Sequence, residues 1–146
     1  MMLRKSVYIV LIVISLAAVR LIGGHLFYDP LIDFFHIPDY QNYPLPEIEF
    51  WKFSGTMVLR YGVNTILTLM LVHVIFQKKD LIWLTGAILG MVWIILFPLF
   101  LWGAWHAEPE QYRYLFYVRR ILIHPVLTLI LIPALLYHEK GQKKEL

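Results

Sequence analysis

Residues 81–103 read LIWLTGAILGMVWIILFPLFLWG, an apolar run without a single charged side chain. A helix of that length rises about 34 Å, enough to cross a hydrocarbon core of about 30 Å. Inside lipid a backbone must satisfy its own polar groups, so the run predicts a transmembrane helix. Three further apolar blocks accompany it, over roughly residues 6–22, 54–76 and 115–137. With 60% hydrophobic and 16% charged residues in a chain of 146, too little interior exists to hide four such blocks in a soluble domain. The expected fold is all-α: a polytopic membrane protein of four transmembrane helices in one bundle, a single membrane domain over residues 1–146.

The cations assign an orientation. Arg4 and Lys5 precede the first block, Lys78 and Lys79 lie in the turn between the second and third, and Lys140, Lys143 and Lys144 follow the fourth. The opposite connections hold only Lys52 and Arg113. The positive-inside rule then places both termini in the cytoplasm. Ser15-Leu16-Ala17 also fits, loosely, a signal-peptide cleavage pattern, whereas Arg20 just behind it fits a retained anchor whose guanidinium reaches the interface.

The outer side is acidic. The first outer loop, residues 23–53, contains Asp29, Asp33, Asp39, Glu47 and Glu49, and the second contains Glu108 and Glu110. The first loop is dense in aromatics and prolines, which predicts a segment packed over the bundle or lying in the headgroup zone rather than a flexible linker. One or two helical turns are expected near residues 31–35.

Four arginines enter the apolar blocks: Arg20, Arg60, Arg119 and Arg120. Arg60 lies about 9 Å into the second helix from its outer end, and the others lie at comparable depth. Arginines so placed must pair, reach the interface or face water. In one reading they pair with Asp29, Asp33 or Glu108 and pin the outer loops. In another they form an anion site, because the guanidinium fork suits phosphate or carboxylate, such as a lipid headgroup or a protein's C-terminal carboxylate. Arg60, Asn64 and Thr68 recur every four residues and share one helix face, which should turn inward. Its plain reading is hydrogen bonding between helices.

Gly86 and Gly90 form a GxxxG step on the third helix, which reads as close packing within the bundle or as a homo-oligomer contact. The chain has no cysteine and six histidines, none in a tight ligand spacing. His25, His36 and His106 share the outer side, yet no metal site or cofactor is expected. His124, just before Pro125, should bond a carbonyl that the proline frees. No Lys/Arg run exceeds a pair, which argues against nucleic acid as a partner. No catalytic constellation is visible, so the chain reads as a non-enzyme.

Two stretches carry a family resemblance. One joins Phe27-Tyr28-Asp29-Pro30-Leu31, Leu45-Pro46-Glu47 and Arg60-Tyr61-Gly62-Val63-Asn64-Thr65-Ile66. The other is Leu115-Phe116-Tyr117-Val118-Arg119-Arg120-Ile121-Leu122-Ile123-His124-Pro125, followed by Leu131-Ile132-Pro133-Ala134. Together they resemble the exosortase F system-associated membrane proteins of flavobacteria. The resemblance implies a multi-pass protein of the bacterial inner membrane, an accessory of a protein-sorting and export system. Its implied partner is an exosortase-type membrane transpeptidase, an enzyme that relies on a catalytic cysteine this chain lacks. It implies no catalytic residues here.

Overall fold

The computed structural model describes residues 2–124 and 126–142. Among them the chain is helical, with no strand. The order is α1 (Met2–Leu26), α2 (Leu31–His36), α3 (Phe50–Phe76), α4 (Lys79–His106), α5 (Tyr112–Ile123) and α6 (Val126–Gln142), with short 3-10 turns at Tyr40–Asn42 and Pro109–Gln111. Three helices are long and apolar enough to cross a membrane; α5 and α6 pass the same test only as a pair bent by 61°, as a broken fourth span or a re-entrant loop. The protein is therefore an all-α polytopic membrane bundle.

Several sequence boundaries shift: α3 begins at Phe50 rather than near residue 54, and α4 ends at His106 rather than residue 103. Gly23 and Gly24 do not end the first helix, which runs on to Leu26. The third begins at Lys79, because Gln77 takes a left-handed backbone (φ 56°) that closes α3 through its N–H to the His73 carbonyl. The largest change is in the fourth span. It is two helices that meet at 61° rather than one continuous rod. The break falls after Ile123, at the residue preceding a proline, where helical backbone is disfavoured. Pro125 itself lies outside the described residues, as do Lys143 and Lys144. Pro133 lies within α6, which continues through it.

Helix α3 is the centre of the bundle and packs against α1, α4 and α5. Lys5 donates to the Ile75 carbonyl (2.8 Å), and Lys78 pairs with Glu139. These contacts gather the start of α1, the α3–α4 turn and the end of α6 at one end of the bundle. The long loop occupies the other end. There α2 inserts Leu31 and Phe34 into a core shared with Phe53, Phe100, Tyr112 and Leu115. Phe34 makes edge contacts with Phe35, Tyr40 and Tyr112, and Phe35 with Phe116. The apolar side chains left outside, among them Leu11, Ile14, Ile66 and Ile94, form the surface that hydrocarbon would solvate.

Candidate functional site: an arginine-lined pocket

Asp29 is the residue around which the loop end is built. It follows α1, precedes Pro30, and is 1% exposed. Arg119 of α5 grips it with a fork, Nη2 at 2.6 Å and Nε at 3.1 Å from Oδ2. Arg60 of α3 donates from Nη1 at 3.4 Å to the same oxygen. One carboxylate thus ties the loop to two helices. Charge-assisted bonds of this kind are stronger than neutral ones, and they compensate the burial of guanidinium groups that are themselves only 2% and 8% exposed. Phe27 and Phe35 lie over the two guanidinium groups at 5.5 and 5.9 Å, a favourable arrangement for cations away from water.

Gly23 makes room for this cluster. A Cβ there would stand 2.9 Å from Arg60 Nη2, so the arginine lies directly against the backbone of α1. Below Arg60 the polar stripe of α3 continues inward. Asn64 donates through Nδ2 to the Ile123 carbonyl (3.0 Å) at the break between α5 and α6, where a helix end leaves acceptors unsatisfied. Thr68 shares a hydrogen bond with Thr128 of α6 (2.6 Å). The stripe binds α5 and α6 to the central helix.

The remaining arginines behave differently. Arg20 and Arg120 are exposed, and neither makes an ion pair or hydrogen bond among the described residues. Successive residues on a helix point about 100° apart, so Arg119 turns in toward Asp29 while Arg120 turns out. Arg120 also sits in the last turn of α5, where the helix dipole favours a cation. All four arginines line one pocket of about 510 Å³, together with His36, Phe35, Phe116 and His124. Among the described residues Asp29 is the one carboxylate paired with any of these four arginines, which leaves the pocket an excess of three positive charges. Arg60 Nε and His124 Nδ1, both buried, have no partner among the described residues. His124 therefore does not bond a freed carbonyl as expected; Asn64 takes that role.

Asp33 and Glu108 stand apart. Both are exposed and neither pairs with an arginine among the described residues; α2 buries Leu31 and Phe34 and leaves Asp33 on its exposed side. The glycine pair leaves open space on its face of α4. A Cβ on Gly86 would meet Leu69 at an ordinary 3.8 Å, and one on Gly90 would meet nothing, so neither brings two helices close within the chain. Close approach occurs instead at Gly103, where a Cβ would stand 3.3 Å from Leu115. No three His, Asp or Glu side chains among the described residues gather as a metal site. His36 and His106 each donate from Nδ1 to a carbonyl one turn back in their own helices.

Sequence spacing did not single out Gly23 or Thr128. Gly23 looked like a helix end, and only its contact with Arg60 reveals its role. Thr128 is the hydroxyl that Thr68, already on the polar stripe, required somewhere opposite it. No family model, curated protein or solved structure matches the chain.

Proposed function

We propose that this is a membrane protein that binds an anion, phosphate or carboxylate, in the arginine pocket at the loop end of its bundle. The observation that carries the reading is the division of labour among the arginines. Asp29 holds Arg60 and Arg119 in place, and Arg20 and Arg120 flank the same pocket with no carboxylate of their own. Arg20 and Arg120 are exposed as well as unpaired, so their guanidinium donors are open to a ligand in a way those of Arg60 and Arg119 are not. Guanidinium groups stay protonated at all ordinary pH, so the four arginines hold their positive charge for an anion. By the distribution of lysines, this end faces away from the cytoplasm.

Replacing Arg20 and Arg120 by Gln tests the proposal. Both are exposed and unpaired, so the double variant should accumulate and unfold like wild type. Its affinity for inorganic phosphate, read by calorimetry in detergent, should fall at least tenfold. Unchanged affinity would exclude these side chains as ligands.

A second reading places the protein as an accessory of an exosortase-type sorting system in the bacterial inner membrane. Its support is the resemblance, whose residues Asp29, Arg60, Asn64, Arg119 and Arg120 are the ones that converge at the loop end. The two readings are compatible, since the anion could belong to a sorted protein or its lipid. Co-purification with a cysteine-dependent membrane transpeptidase would favour it. Unaltered processing of sorted substrates in a deletion strain would remove it.

A further inference from the structure

The arginine pocket does not stand alone. Helices α1 and α6 both lie beside α3, and between them runs an apolar groove of about 450 Å³. Leu71 and Ile75 of α3 form its floor, Ile9 and Val13 one wall, Leu129 and Ile132 the other. Arg20 lines both the groove and the arginine pocket, so the two cavities meet at its side chain. The groove's other polar lining side chain, Thr128, spends its hydroxyl on Thr68.

We infer that pocket and groove together form one site for a phosphorylated lipid, with its phosphate among the arginines and one hydrocarbon chain along α1. The inference rests on the anion reading above and narrows it. Three observations select this occupant. First, charge: an excess of three positive charges matches a phosphate monoester of charge near −2 better than a lone carboxylate. Second, length: from Arg20 to Ile9 the groove follows eleven residues of helix, about 16 Å at the usual rise. That is close to half of a hydrocarbon core of about 30 Å, the depth that one leaflet's chains fill. Third, polarity: an extended peptide arriving with its C-terminal carboxylate would carry backbone N–H and C=O groups into a groove with no free partner for them. A hydrocarbon chain brings none.

The test separates chain from headgroup. The probes are dioleoyl phosphatidate, sn-glycerol 3-phosphate as its chainless counterpart, and dioleoylglycerol as its phosphate-free counterpart, each titrated against the purified full chain in detergent. Wild type should bind phosphatidate at least tenfold more tightly than either counterpart. Ala17, which lines the groove and is exposed, is replaced by Trp to fill it while every arginine is kept. A17W should lower phosphatidate affinity at least tenfold and leave glycerol phosphate within twofold. If A17W does not fold, Val13→Phe blocks the same wall and carries the same expectation. Phosphatidate affinity that survives a filled groove, with glycerol phosphate still bound, would overturn the inference and leave the anion reading standing. Absence of binding by both phosphate probes to wild type would overturn both.

Discussion

Replacing Asp29 by Asn should weaken the protein and strengthen its pocket at once. The substitution keeps the shape and one acceptor oxygen but removes the charge that compensates Arg60 and Arg119, which are 2% and 8% exposed. Breaking a buried ion pair by deleting one partner typically costs about 3–5 kcal/mol. Here a single carboxylate serves two cations, yet the retained amide oxygen still accepts a bond, which places the expected loss at about 3 kcal/mol. Binding should move the other way. At about 8 Å and an effective dielectric near 20, unit charges interact by about 2 kcal/mol. Removing Asp29's repulsion from a bound anion should therefore tighten phosphate about thirtyfold per unit of ligand charge. Thermal unfolding in detergent and phosphate titration read the two effects separately. They are also linked, since a ligand at a hundred times its Kd stabilises the folded state by about 2.7 kcal/mol. Saturating phosphate should consequently restore most of the lost stability of D29N. A variant as stable as wild type would mean that the ion pairs contribute nothing to the fold. A variant that binds phosphate no better, or worse, would refute the electrostatic account of the pocket.

Three further substitutions probe how the site is held. Gly23→Ala sets a Cβ 2.9 Å from Arg60 Nη2 and should displace that guanidinium, at about 1–3 kcal/mol for an overpacked contact; unfolding unchanged from wild type would show that the arginine has room to move. Phe34→Ala empties the socket where α2 meets Tyr112 and should cost about 3–5 kcal/mol, with limited proteolysis in residues 27–49 as the readout. Gly90→Ala meets no atom within 4 Å and should leave abundance and unfolding at wild-type values; a marked loss of a complex with unaltered monomer would instead locate a partner helix on that face.

Much of the fold was legible because lipid imposes two strong constraints on sequence. Uninterrupted apolar length fixes where helices cross, and backbone satisfaction fixes that they are helices. Residues 81–103 needed no other argument. Helix ends were less legible. Gly23 and Gly24 resemble terminators, but α1 runs through them, and Gly23's lack of a side chain leaves room for Arg60 rather than a turn. The break between α5 and α6 was foreshadowed by Pro125, yet the hydrogen bond that Asn64, on another helix, donates to the Ile123 carbonyl there was not. No local pattern encodes that contact.

The site was legible as a depth rather than as a set of partners. Helical rise alone brought Arg20, Arg60, Arg119 and Arg120 to one level, and all four line one pocket. Choosing Asp29 over Asp33 and Glu108 required the packing of α2. Its apolar residues Leu31 and Phe34 enter the core, and they carry the residue just ahead of the helix inward while Asp33 turns out. The choice between a structural and a ligand-binding arginine cluster is likewise not made for the cluster as a whole. It is made residue by residue, and most sharply within the adjacent pair on α5. The 100° step between neighbours gives Arg119 a carboxylate and leaves Arg120 without one. An anchored cation beside a free one keeps the charge fixed in position without cancelling it, which is the condition for a preorganised anion site close to lipid.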